Sequence, residues 1–170
     1  MNKDEQKITQ NGDPHAPLFL EGTADNGIVV FIHGFMGSPR HFDKLAAAAH
    51  KQGLSIAALL LPAHGGTAKD FGSGSHELWQ DYIDSEVGRF AREYTNIWLV
   101  GHSMGGLLAI NAAVKHNDRI YGLFLIATPM KIGVFSVTAI KIRLKQLFSH
   151  ERKQIIATYS SVCSVSHRPG

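Results

Sequence analysis

Between Gly27 and Ile126 the chain contains four short apolar runs, each ending on a glycine or proline turn. They are Gly27–Ile32 (GIVVFI), Ser55–Leu61 (SIAALLL), Asn96–Val100 (NIWLV) and Ile120–Ile126 (IYGLFLI). Such runs are too short for helices and rich in branched residues. They lack the polar alternation of a half-exposed strand, so they read as strands buried on both faces. Helical stretches separate them. One starts at Ser38-Pro39, with Ser38 as cap and Pro39 in the first turn, carries Leu45 and Ala46 to Ala49, and stops at Gly53. A second runs from Glu77 to about Tyr94 with Leu78, Tyr82, Val87 and Phe90 on its apolar side. A third, of small residues, runs from Met104 to about Lys115. Leu18-Phe19-Leu20 is a further short strand, closed by a turn at Asp25-Asn26-Gly27, and residues 62–75 read as a glycine- and serine-rich loop. Regular alternation of strand and helix predicts an α/β fold, a mostly parallel sheet with flanking helices and right-handed crossovers.

Composition narrows the setting. With 170 residues, 44% of them hydrophobic and 18% charged, the chain is long enough to bury a core. No apolar run reaches the ~20 residues of a membrane-spanning helix, and the start is polar, without an apolar signal core. A single cysteine, Cys163, excludes an internal disulfide framework and any multi-cysteine metal knuckle. The expectation is a soluble, cytoplasmic domain with no metal. The net charge of +3 is uneven: residues 131–170 hold seven basic side chains against Glu151 alone, while residues 1–130 are net acidic. These basic residues form no dense cluster interleaved with stacking aromatics, so no nucleic-acid partner is expected.

Gly101-His102-Ser103-Met104-Gly105 is a G-x-S-x-G pentapeptide between a buried strand and a helix, the context that a nucleophile elbow requires. There the strand turns sharply into the helix, which strains the serine backbone and exposes its hydroxyl. A Cβ at Gly101 or Gly105 would clash across the turn. The helix beginning at Met104 aims free N–H groups at any anion formed on a substrate. The bland alternative is a glycine-rich turn carrying an idle serine. His33-Gly34-Phe35 weighs against it, because it follows the first buried strand at the carboxyl end of the sheet, where open α/β sheets place their sites. Gly34 lets the backbone approach a substrate, so the Phe35 N–H becomes a second oxyanion donor beside that of Met104. One such donor typically contributes ~10²–10³ in rate.

HGFMGSP after GIVVFI, LPAHGG after the next strand, ELWQDY in the long helix, LVGHSMGG and LFLIATP together resemble the α/β-hydrolase fold family. Within it the similarity is to bacterial carboxylesterases and monoacylglycerol lipases, with a serine-aminopeptidase-type signature. The resemblance covers about residues 18–130. It implies a carboxylic ester hydrolase with Ser103 as nucleophile and an oxyanion hole of the Phe35 and Met104 amides. A small-molecule ester, lipid-derived among the options, is the implied substrate, with no organic cofactor. Residues 1–130 would be the core, and 131–170 the start of a cap over the acyl pocket. Within this frame His33 and His64 read as residues that order their loops. His102, next to Ser103 in sequence, points elsewhere across the elbow, and Trp79 and Asp81 read as helix packing and a surface carboxylate.

A serine nucleophile needs a histidine base oriented by a carboxylate, in this fold in the order Ser, acid, His. After Ser103 the acids are Asp118 and Glu151, and the histidines are His116, His150 and His167. His116 and Asp118 follow a helix of about 12 residues that rises ~18 Å from the elbow. No strand precedes the other candidates to position them. The expectation is the N-terminal part of a hydrolase ending within its cap, with the acid and base beyond residue 170 and the isolated chain inactive. Ile120–Ile126 would then be a bare apolar sheet edge. The alternatives are recruitment of His150 or His167, or a non-catalytic fragment that binds an acyl ligand or a partner. Segment 138–153 reads as a cap helix with a solvated basic face, or as an amphipathic helix on an anionic lipid surface.

Overall fold

The computed structural model describes residues 15–23 and 27–130. Five strands form one sheet in the order β1-β3-β2-β4-β5, with β1 at Leu18–Leu20, β2 at Ile28–Ile32, β3 at Ser55–Leu59, β4 at Ile97–His102 and β5 at Ile120–Ile126. β1 lies antiparallel to β3, and the other neighbours are parallel. The helices are α1 (Asp43–His50), α2 (Ala68–Phe71), α3 (His76–Glu93) and α4 (Met104–Lys115). The expected α/β sheet is therefore what the chain forms, with the site-bearing strands β2 and β4 paired side by side at the centre.

Every residue of β2 and β3 is buried, as unbroken apolar runs require. The period of two divides them between two layers. Ile28, Val30 and Ile32 pack with Leu59, Ile97 and Leu99 against α3 and α4. Val29 and Phe31 turn the other way with Ile56, Ala58 and Val100 onto Phe42 and Ala46.

Several boundaries differ from expectation for local reasons. The first helix opens as a 3₁₀ turn, Pro39–Phe42, and Ser38 makes no side-chain cap. The His41 N–H that a Ser38 hydroxyl would take is already bonded to the Ser38 carbonyl at 3.2 Å. In α3 the buried stripe is Trp79, Ile83, Val87 and Phe90, whereas Leu78 is 43% exposed. β3 ends at Leu59, two residues early, although Leu61 stays fully buried. β4 runs on through Gly101 and His102, because both pair with β5, opposite Leu125 and Ile126. Residues 62–75 are not all loop, since they contain α2. β5 has no described strand on its outer side and exposes Tyr121, Phe124, Leu125 and Ile126.

Asp25 and Asn26 of the expected turn lie outside the described residues. So do the expected cap at 131–170, the amphipathic segment 138–153, Cys163, His150, Glu151 and His167. Among the described residues no helix is long and apolar enough to cross a membrane.

Candidate active site

The parallel register sets Ile32, the last residue of β2, opposite Gly101 of β4. The segments at the ends of these strands, His33-Gly34-Phe35 and His102-Ser103-Met104, are thereby forced into contact at the carboxyl end of the sheet. A Cβ built on Gly34 would lie 3.0 Å from the His102 carbonyl oxygen and 3.1 Å from the Ser103 Cβ. Only a glycine lets the two backbones come this close without displacement.

Ser103 occupies the N-cap of α4 with φ 53° and ψ −119°. This left-handed conformation is rare for a residue with a Cβ and stores roughly 1–3 kcal/mol of strain. The surrounding backbone imposes it: the Ser103 N–H donates to the Ile126 carbonyl at 2.9 Å, and the Ser103 carbonyl accepts from Gly106 N–H at 3.0 Å. The hydroxyl makes no cap bond to the helix. Met104 is the first helical residue, and the first N–H groups of a helix have no acceptor within it. A half-buried serine thus stands at the positive end of a 12-residue helix.

The glycines of the pentapeptide allow this turn. A Cβ on Gly101 would fall 2.5 Å from Gly106 Cα, and one on Gly105 would fall 2.2 Å from the Ile32 carbonyl oxygen. Both are contacts with backbone, which cannot step aside. They seat α4 directly on the end of β2.

On the β2 side the ring of His33 is fully buried and both its nitrogens are engaged. Leu61 N–H donates to Nε2 at 3.0 Å, which leaves the proton on Nδ1. That N–H donates to the Gly34 carbonyl at 2.9 Å. Burial holds His33 far below the ordinary imidazole range, at about 3, against the opposing effect of its bond to Gly34. A ring that stays neutral near neutral pH is thus a fixed brace. The Gly34 carbonyl also accepts from Gly37 N–H at 2.9 Å, and Met36 sits at φ 55° in the turn between them. In a planar trans peptide the C=O and the next N–H are antiparallel. Fixing the Gly34 carbonyl at two points therefore fixes the direction of the Phe35 N–H.

His64 is buried, with Nδ1 3.2 Å from the Pro62 carbonyl, and its ring edge meets His33 at 4.8 Å. Burial lowers its pKa, while bonds to the Pro62 and Leu61 backbone act in the opposite sense. The ring of His102 lies 6.2 Å from that of His41, whose pKa burial lowers first and His102 second. Asp81 is exposed, and Trp79 is buried with its indole N–H donating to Pro62 at 2.9 Å.

Sequence reasoning missed the aromatic group beside the site. Phe71, from α2, meets Phe35 edge-on at 4.8 Å and His64 at 4.9 Å, and stacks on Trp79 at 6.4 Å. The available signal was Thr67-x-x-Asp70, a capping box that is fully formed. The structure does not bring His116 or Asp118 to the elbow. His116 caps the far end of α4, with Nε2 3.9 Å from Asp84. Among the described residues no cluster of three or more His, Cys, Asp or Glu could hold a metal ion.

The family model described as the alpha/beta hydrolase family matches residues 29–161, and the chain belongs to that family. A thermostable monoacylglycerol lipase from Bacillus sp. (strain H-257) is 31% identical over 97 residues, which is 56% of this chain and 39% of the lipase. A 2-succinyl-6-hydroxy-2,4-cyclohexadiene-1-carboxylate synthase from Enterobacter sp. (strain 638) is 32% identical over 57% of this chain and 36% of the synthase. A solved structure from the work on LipS and LipT, two metagenome-derived lipolytic enzymes, is 26% identical with a TM-score of 0.66, and the match covers 76% of this chain and 51% of that one. The chain thus spans less than half the length of these two relatives and about half that of the solved structure. Lipase- and esterase-like enzymes stand among its relatives beside a synthase.

Proposed function

We propose that the protein is a serine hydrolase of carboxylic esters, of carboxylesterase or monoacylglycerol lipase type. Ser103 attacks the ester carbonyl, and its proton passes to a histidine base supplied, with its acid, from outside the described residues. The tetrahedral oxyanion is held by the Phe35 and Met104 amides. Collapse expels the alcohol, and water then releases the acid from the acyl-enzyme. The observation that carries this reading is the strained, half-exposed Ser103 at the start of α4, in contact with the braced His33-Gly34-Phe35 loop. The lipase and the lipolytic enzymes among the relatives support an ester as substrate. Apolar side chains beside the elbow, with Phe35 49% and Ile126 37% exposed, suit an acyl group better than a charged one. Residues 1–130 would be core and 131–170 the beginning of a cap.

Hydrolysis of p-nitrophenyl acetate and butyrate by the protein and by Ser103→Ala tests this. Turnover lost in the variant, with the fold intact by circular dichroism, is expected. Equal turnover in the two proteins contradicts the assignment.

A further inference from the structure

We propose that the rings of Phe35 and Phe71 form a corner that binds an aryl group, so that the substrate ester carries an aromatic ring on one arm. The inference deepens the reading of Ser103 as the nucleophile of an ester hydrolase, and rests on it. Phe35 follows Gly34, whose missing Cβ would stand 3.1 Å from that of Ser103. Its side chain is half exposed. The ring of Phe71 lies 4.8 Å away, with the two planes at 76°. The buried Trp79 repeats the relationship, at 77° to Phe35 and 28° to Phe71. Phe71 and Trp79 are thus closer to parallel, and Phe35 stands across both. Two nearly perpendicular rings leave an angle that a third ring fills by meeting one face and one edge, the arrangement that aromatic quadrupoles favour. A saturated group of the same size has no quadrupole to match.

The corner is ordered before any substrate arrives. Phe71 stacks on Trp79, whose indole N–H is tied to the Pro62 carbonyl, and meets His64 edge-on. It ends a helix of four residues with none of them buried, a length with no stability of its own. What maintains that helix is its cap. Thr67 N–H and hydroxyl both donate to Asp70 Oδ2, at 2.8 and 2.6 Å, and Asp70 N–H donates back to the Thr67 hydroxyl at 3.2 Å. The Ser73 hydroxyl donates to the Asp70 carbonyl at 2.6 Å. The helix adds no buried residue to the core, and what its cap secures is the one ring it carries. An aryl group therefore meets a surface that need not be ordered on binding, which removes part of the entropy cost.

The test is a titration of Ser103→Ala with intact esters, followed by ¹H–¹⁵N spectra of the Phe35 amide and the Trp79 indole N–H, and needs no turnover. Methyl phenylacetate carries the ring on its acyl arm, and benzyl acetate on its alcohol arm. Each is compared with its cyclohexyl counterpart, which is the more hydrophobic, so burial of area alone would favour the saturated ester. One phenyl ester is expected to bind ~5-fold tighter than its counterpart, within the roughly 2- to 10-fold that an aromatic pair contributes. The ester that does so identifies the arm. Phe71→Leu in the same background keeps an apolar side chain and should bring the preference below about 2-fold, while Phe71→Tyr retains it. Should the leucine variant fail to fold, Phe35→Leu, at a half-exposed position, carries the comparison. No shift at either N–H, equal or better binding of the saturated esters, or a preference that survives the leucine variant overturns the proposal. If the preference holds but Ser103→Ala hydrolyses the esters, the nucleophile reading fails instead, and the corner stands as an aryl-binding site.

Discussion

The Cβ that Gly34 lacks would stand 3.1 Å from the Cβ of Ser103. This contact joins the turn after β2 to the turn after β4, and it makes Gly34→Ala a sensitive probe. The new methyl meets the His102 carbonyl oxygen at 3.0 Å and His102 Nδ1 at 3.3 Å, so the loop must shift by a few tenths of an ångström. Because the strain is local, stability should fall by no more than ~2 kcal/mol. Ester turnover should fall ~10²-fold, the usual consequence of losing one oxyanion donor. Denaturant unfolding and steady-state kinetics on the same sample check both.

Ser103 is held at φ 53° by its neighbours, so substitutions there rank by backbone tolerance. Ser103→Ala keeps the unfavourable conformation, whereas Ser103→Gly relieves it. The glycine variant is expected to be the more stable by about 1 kcal/mol despite its greater freedom when unfolded. Urea midpoints at constant m-value measure the difference. The opposite order would show that the elbow is not strained.

Two glycines in helices should behave oppositely. A Cβ on Gly105 meets the Ile32 and His33 carbonyl oxygens at 2.2 and 2.4 Å, while one on Gly88 of α3 finds its nearest neighbour, His116 Cε1, at 3.9 Å. Gly105→Ala should cost more than ~3 kcal/mol by overpacking against backbone, and Gly88→Ala should stabilise by ~0.5–1 kcal/mol through helix propensity. Thermal melts of the two variants give the comparison.

Buried imidazoles set the response to acid. His33 is held at about 3 in the folded state against 6.5 as its ordinary value. The unfolded chain therefore binds the extra proton first as pH falls. Its contribution to stability is complete above pH 6.5 and is lost progressively down to about 3, at up to ~1.4 kcal/mol per pH unit. His41 and His64, both lowered by burial, act in the same sense. Unfolding free energy measured from pH 7 to 4 should fall, and His33→Gln should reduce the slope by about one proton's worth.

The elements that position the site were legible because their signals are local and strong. Continuous apolar runs gave β2, β3 and β4, and the glycines around Ser103 announced a backbone conformation that few other residues tolerate. α2 was harder to read, since four residues show no periodicity and its capping box lies in a stretch whose glycines and serines read as loop. Leu78 and Trp79 are both apolar neighbours. Which of them is buried depends on Pro62 and Phe71, groups distant in sequence that meet only in the fold. The fixed tautomer of His33 likewise depends on Leu61, 28 residues away, and no spacing along the chain encodes it. Ser38 could not cap because the 3₁₀ turn had already used the His41 N–H.

The central claim is that Ser103 is an activated nucleophile, and active-site-directed phosphonylation tests it most directly. The protein is treated with a fluorophosphonate, digested, and the modified peptide mapped by mass spectrometry, with Ser103→Ala in parallel. One adduct, on Ser103, absent from the variant, is the expected result. An adduct on another residue, or labelling that survives the substitution, would contradict it.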